Sequence, residues 1–110
     1  MRLVIATLLP GQVESVRQAL AEVHVTRLSI ADAHGYPSSG STGAVAQLAV
    51  MEIAVNDDFL ERTVATIAGV MNLSGRDVDA GGGMAATGLY VLPISETVQI
   101  YRAVRGPEAI

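Results

Sequence analysis

Chemistry needs nucleophiles, acid–base pairs, metal ligands or anion cradles, and this sequence is sparing with all of them. It contains two histidines and no cysteine, which excludes disulfides, thiolate metal sites, iron–sulfur clusters and a cysteine nucleophile. His24 and His34 belong to no HExxH or HxH pattern. His24 falls at a helix-to-strand connection and reads as a solvated turn residue, whereas His34, followed by Gly35, opens a loop and is the better placed to touch a ligand. Ser38, Ser39, Ser41, Thr42 and Ser74 have no neighbouring base and no oxyanion-hole signature. Asp57, Asp58 and Glu61 have the spacing of an acid–base pair, but a helix N-terminus attracts carboxylates through its dipole alone. Gly81-Gly82-Gly83 can offer backbone amides to a phosphate, yet it matches neither the P-loop nor the dinucleotide fingerprint. Glu52 is the most informative charge, because it interrupts the apolar run Leu48–Val55. A buried unpaired carboxylate is costly, so Glu52 faces solvent, a ligand, or an arginine such as Arg102 or Arg105.

The elements that must position these residues follow from periodicity. Leu3 to Leu9 is apolar on both faces, as a central strand is, and Pro10-Gly11 ends it. Val13, Val16, Leu20 and Val23 recur at helical spacing, and Val25 to Ala33 reads as a second strand. His34 to Gly43 is a Gly, Ser, Pro and Thr loop, and Gln47 to Val55 is a third strand. Asn56-Asp57-Asp58 supplies a cap for a second helix with the stripe Leu60, Val64, Ile67 and Met71. An irregular stretch follows Asn72 as far as Thr87, Gly88 to Leu92 is a fourth strand, and Pro93 to Ile110 is a short helical turn with an extended tail. A shift of 47 residues lays Val13 on Leu60, Leu20 on Ile67 and Val23 on Val70. Two βαβ halves in one antiparallel four-stranded sheet, with both helices on one face, is the resulting expectation: an α+β, ferredoxin-like double βαβ sandwich.

At 110 residues the chain is one domain. Hydrophobic residues make up 50% and charged residues 16%, so a monomer would leave apolar surface exposed and a subunit interface is expected. The net charge of −4, with all seven basic residues arginine, argues against nucleic acid, which requires clustered cations. The apolar N-terminal stretch is too short to span a bilayer and lacks a small-residue cleavage site, as in a cytoplasmic protein.

Three stretches resemble the PII signalling proteins: Val13 to Leu20 after Pro10; Leu28 to Tyr36; and Tyr90 to Tyr101 with Arg105-Gly106 and the ending Glu108-Ala109-Ile110. The resemblance implies a homotrimer of ferredoxin-like subunits that binds an adenine nucleotide between neighbours and contacts a transporter or enzyme through a mobile loop. It thus implies a regulator and not an enzyme, with no required cofactor and with membrane association only through a transporter. It assigns 36–46 to a short T-loop, 73–87 to a B-loop and 94–110 to the C-terminal segment. Ser29, Gly35, Glu52, Ile53 and Ala54 fall where the family holds adenine and ribose, with Thr7 beside them and Tyr36 at the loop base. The family's B-loop lysine is replaced by Gly88 and its two C-terminal arginines by Gln99 and Tyr101, leaving Arg102 and Arg105 as substitutes. Each lost charge-assisted phosphate contact removes about 1.5–3 kcal/mol. AMP or ADP is therefore the expected effector ahead of ATP. The alternative is a trimeric interaction module that has lost nucleotide binding.

Overall fold

The computed structural model describes residues 1–35, 45–75, 87–101 and 103–110. The expected mobility of Tyr36–Gly43, most of the B-loop segment, and the positions of Tyr36 and Arg102 lie outside them. Strand β1 (Arg2–Leu8) sits inside a four-stranded sheet of order β2-β3-β1-β4, in which β2 is Leu28–Gly35, β3 Ala46–Val55 and β4 Gly88–Pro93. All three pairings are antiparallel. Helices α1 (Val13–Glu22) and α2 (Asp57–Gly75) pack together over one face. The ferredoxin-like α+β expectation is met.

Strand periodicity fixes which face is which. Val4, Ala6 and Leu8 of β1 and Met51, Ile53 and Val55 of β3 alternate with less buried neighbours and meet Val16, Leu20 and Ile67 of the helices in one core. Thr63, wholly buried on α2, returns its hydroxyl to the Phe59 carbonyl at 2.8 Å, so its own donor is satisfied. At the start of α1, Pro10 occupies the first position of a 3-10 turn, and the Leu9 amide donates to the Gln12 side chain at 3.0 Å.

The end of α1 explains His24. The Val25 amide reaches back to the Leu20 carbonyl at 2.9 Å and the His24 amide to Ala21 at 3.0 Å. That is a Schellman closure, and Val25 and Leu20 share the core beneath it. His24 takes the left-handed position, at φ 66°. A side chain there costs about 1–2 kcal/mol, partly offset in glycine by unfolded-state entropy. His24→Gly should therefore raise stability by about 0.5–1 kcal/mol, seen as a higher urea midpoint at unchanged slope. A lower midpoint would refute that account.

Several boundaries differ from the sequence expectation. Strand β2 runs from Leu28 to Gly35 instead of Val25 to Ala33, because Val25 is consumed by the helix closure and the pairing continues to Gly35 opposite Ala46. His34 is thus an exposed strand residue rather than a loop residue. Helix α2 continues past Asn72 to Gly75. Asn56 does not cap it with its side chain: its amide donates to the Pro107 carbonyl at 3.0 Å, and among the described residues its buried side-chain oxygen has no partner. The tail is a hairpin of β5 (Val98–Gln99) and β6 (Val104–Arg105) followed by a 3-10 turn, Gly106–Ala109. Reciprocal bonds between Thr97 and Gly106 close it, and Ile94 ties it to the Met1 carbonyl. Among the described residues no helix is long and apolar enough to cross a membrane.

Candidate functional site

Opposite the helices the sheet presents an uncovered face, and its register brings the candidate residues into rows. One row across β2, β3, β1 and β4 reads Ser29, Glu52, Ile5, Tyr90. The next, about 7 Å along the strands, reads Ala31, Val50, Thr7, Gly88. On the other side lie Ala54, Leu3 and Leu92. Thr7, Ser29, Glu52, Ala54 and Gly88 therefore share one face over three adjacent rows. Thr7 donates its hydroxyl to the Gly88 carbonyl at 3.4 Å, binding the edge strand to β1 within the site.

Other expected site residues do not join them. Ile53 lies between Glu52 and Ala54 and so points the opposite way, fully buried against the helices. Only its backbone is available. Gly35 is buried at the far end of β2, about 13 Å along the strand from the Ala31 row. Gln99, Tyr101 and Arg105 belong to the separate C-terminal hairpin, where Tyr101 is 96% exposed. Arg105 does not answer Glu52 but pairs with Glu96 of its own hairpin at 2.5 Å. Glu52 is exposed and forms no ion pair among the described residues.

A cavity of about 240 Å³ opens at the Ala54 end, between Arg27 on the α1–β2 connection, Phe59 of α2 and Ile110. Asp57 accepts a hydrogen bond from the Met1 ammonium at 2.9 Å with Arg2 at 3.6 Å, and these hold its carboxyl below the usual range. Among the described residues no cluster of three or more His, Asp or Glu is arranged for a metal.

Sequence reasoning missed Tyr90. Alternation along β4 from Gly88 carries the signal, since residue 90 must share the face of residue 88. A side chain on Gly88 would begin 2.8 Å from the Tyr90 hydroxyl, so the phenol lies back over that glycine.

No protein-family model matches the chain. The nitrogen regulatory protein GlnK1 of Methanosarcina mazei is 30% identical over 120 aligned residues, spanning 100% of this chain and 97% of the relative. The crystal structure of Arabidopsis thaliana PII bound to citrate matches the fold with a TM-score of 0.79 at 23% identity, covering 99% of this chain and 91% of that one. A full-length relative at that identity, on this strand order and with two helices over one face, means that the chain belongs to the PII family of nitrogen regulatory proteins, which are signalling regulators and not enzymes.

Proposed function

We propose that the chain is a cytoplasmic homotrimeric sensor that binds a small anionic effector, an adenine mono- or diphosphate, in the cleft between neighbouring subunits and reports occupancy to a transporter or enzyme. The observation that carries this reading is the uncovered face on which Thr7, Ser29, Glu52, Ala54 and Gly88 sit together. The cavity beside Ala54 shares only that residue with the face and, at about 240 Å³, is small for a nucleotide, whose pockets enclose about 300–1,000 Å³. A neighbour supplies the missing wall. Gly35, Gln99, Tyr101 and Arg105 contribute across that boundary, which their distance from the rows within one chain supports. Tyr36 and the segment 36–46, as far as the start of β3, form the reporting loop, the part of 73–87 that follows α2 forms the anion loop, and 94–110, with Arg102, is the arm that reaches the neighbour.

Charge selects the effector. Gly88, Gln99 and Tyr101 stand where the family resemblance places cations, and Arg105 is engaged by Glu96. A triphosphate brings more charge than such a site neutralises. That a plant PII is bound to citrate supports a small anion as the effector class. Calorimetric titration of AMP, ADP, ATP and citrate, each with and without magnesium, tests this. AMP or ADP should bind at least as tightly as ATP, and magnesium should add nothing. Clearly tighter ATP–magnesium binding would overturn the preference. A trimer that binds none of the four would leave the interaction module as the function.

A further inference from the structure

Gly88 is not glycine for backbone reasons, since its φ lies outside the left-handed region in which only Gly106 among the described glycines is found. Space explains it. A Cβ there would stand 2.8 Å from the Tyr90 hydroxyl oxygen and 3.0 and 3.1 Å from two ring carbons. Those separations fall inside van der Waals contact. The ring can lie over Gly88 only because no side chain rises from it. Tyr90 is 55% exposed, and among the described residues none hydrogen-bonds its hydroxyl. A phenol with an open donor therefore sits above the Thr7–Gly88 pair, on the same face as Ser29 and Glu52.

We propose that Tyr90 is a specificity-determining residue of the effector site: its hydroxyl donates a hydrogen bond to an anionic oxygen of the effector, and Gly88 is glycine because the phenol fills its side-chain space. The proposal rests on the effector reading above. A phenol is a neutral donor, so it satisfies one oxygen without offsetting further charge. Glu52 stands two strands away in the Tyr90 row, about 10 Å off. That exceeds the Debye length of about 8 Å at physiological salt, so Glu52 is felt only where a neighbouring subunit closes the site off from bulk salt, and there each added phosphate meets an unpaired carboxylate. A neutral donor facing a fixed negative charge favours an effector with one phosphate or carboxylate over a polyphosphate.

Calorimetry with AMP and ATP on the wild type, Tyr90→Phe, Gly88→Ala and the double variant tests the assignment. Tyr90→Phe keeps the ring and should melt as the wild type does, yet bind AMP about tenfold more weakly and narrow the preference for AMP over ATP. In Gly88→Ala the methyl must push the phenol aside, so a similar loss is expected, and the double variant should be no weaker than Tyr90→Phe alone. Equal AMP affinity in the wild type and Tyr90→Phe would overturn the assignment while leaving the effector reading intact, and additive losses in the double variant would overturn the Gly88 half. A wild type that binds neither nucleotide would overturn the effector reading and this assignment together.

Discussion

Leu20→Ala should lower the free energy of unfolding by about 3–4 kcal/mol, among the largest losses any single truncation in this chain produces. Leu20 is fully buried and belongs to the cluster containing Val4, Val16, Met51, Ile53 and Ile67, so its removal leaves a cavity bounded by both helices and the two central strands. Its carbonyl also anchors the closure of α1, and Val25 packs in the same cluster. Truncation thus removes burial and loosens the contact that ends the helix. Val98→Ala is the contrast: Val98 is half exposed on the hairpin, and its loss should cost less than about 0.5 kcal/mol. Urea unfolding of the three proteins at one fixed concentration separates these values, the concentration being held because association contributes to apparent stability. A loss below about 1 kcal/mol for Leu20→Ala would mean that the helices are not clamped to the sheet as described.

The elements that periodicity reveals were legible because burial writes them into the chain. Val13, Val16 and Leu20 mark α1, and the apolar run with Glu52 marks β3. What escaped depended on tertiary partners or on backbone geometry without its usual residue. The closure of α1 uses a histidine where glycine is the common signal, so His24 looked like an ordinary turn and Val25 like the start of a strand. The C-terminal hairpin turns through Ala103 at φ 51°, again with no glycine to announce it. In the site, Glu52, Ile53 and Ala54 are three neighbours of one strand, so Glu52 and Ala54 present side chains to the uncovered face while Ile53 offers it only backbone. Tyr90 was missed for the converse reason, since its role depends on an empty position two residues earlier. Gly35 and the hairpin residues lie apart from the rows within one chain, and no pattern within one chain records a neighbour.

Ile5→Asp should convert a trimer into folded monomers. Ile5 lies at the middle of the uncovered face, beside Glu52 on one strand and Tyr90 on the other. Around it Leu3, Val50, Tyr90 and Leu92 keep apolar surface in contact with solvent, and Tyr90 and Leu92 are 55% and 46% exposed. The hairpin adds Ile100 and Tyr101, 89% and 96% exposed. Side chains of this kind, in a chain with only 16% charged residues, demand a cover. Ile5 is already half-buried within the chain, so an aspartate at position 5 costs about 1–2 kcal/mol of folding energy in lost burial and strand preference, besides its repulsion with Glu52. Buried between subunits, it would carry an unpaired charge into an apolar interface at several kcal/mol per copy. Assembly should therefore fail where folding does not. Light scattering should give about three times the 11.4 kDa chain mass for the wild type and a single chain mass for Ile5→Asp, with the circular dichroism of the fold retained. Ile5→Val, which keeps the face apolar, should remain trimeric. If the cleft lies between subunits, the monomeric variant also loses the effector although Thr7, Ser29, Glu52 and Gly88 are unchanged. A wild-type monomer, or an aspartate variant that still assembles, would place the interface elsewhere and leave the uncovered face without its expected occupant.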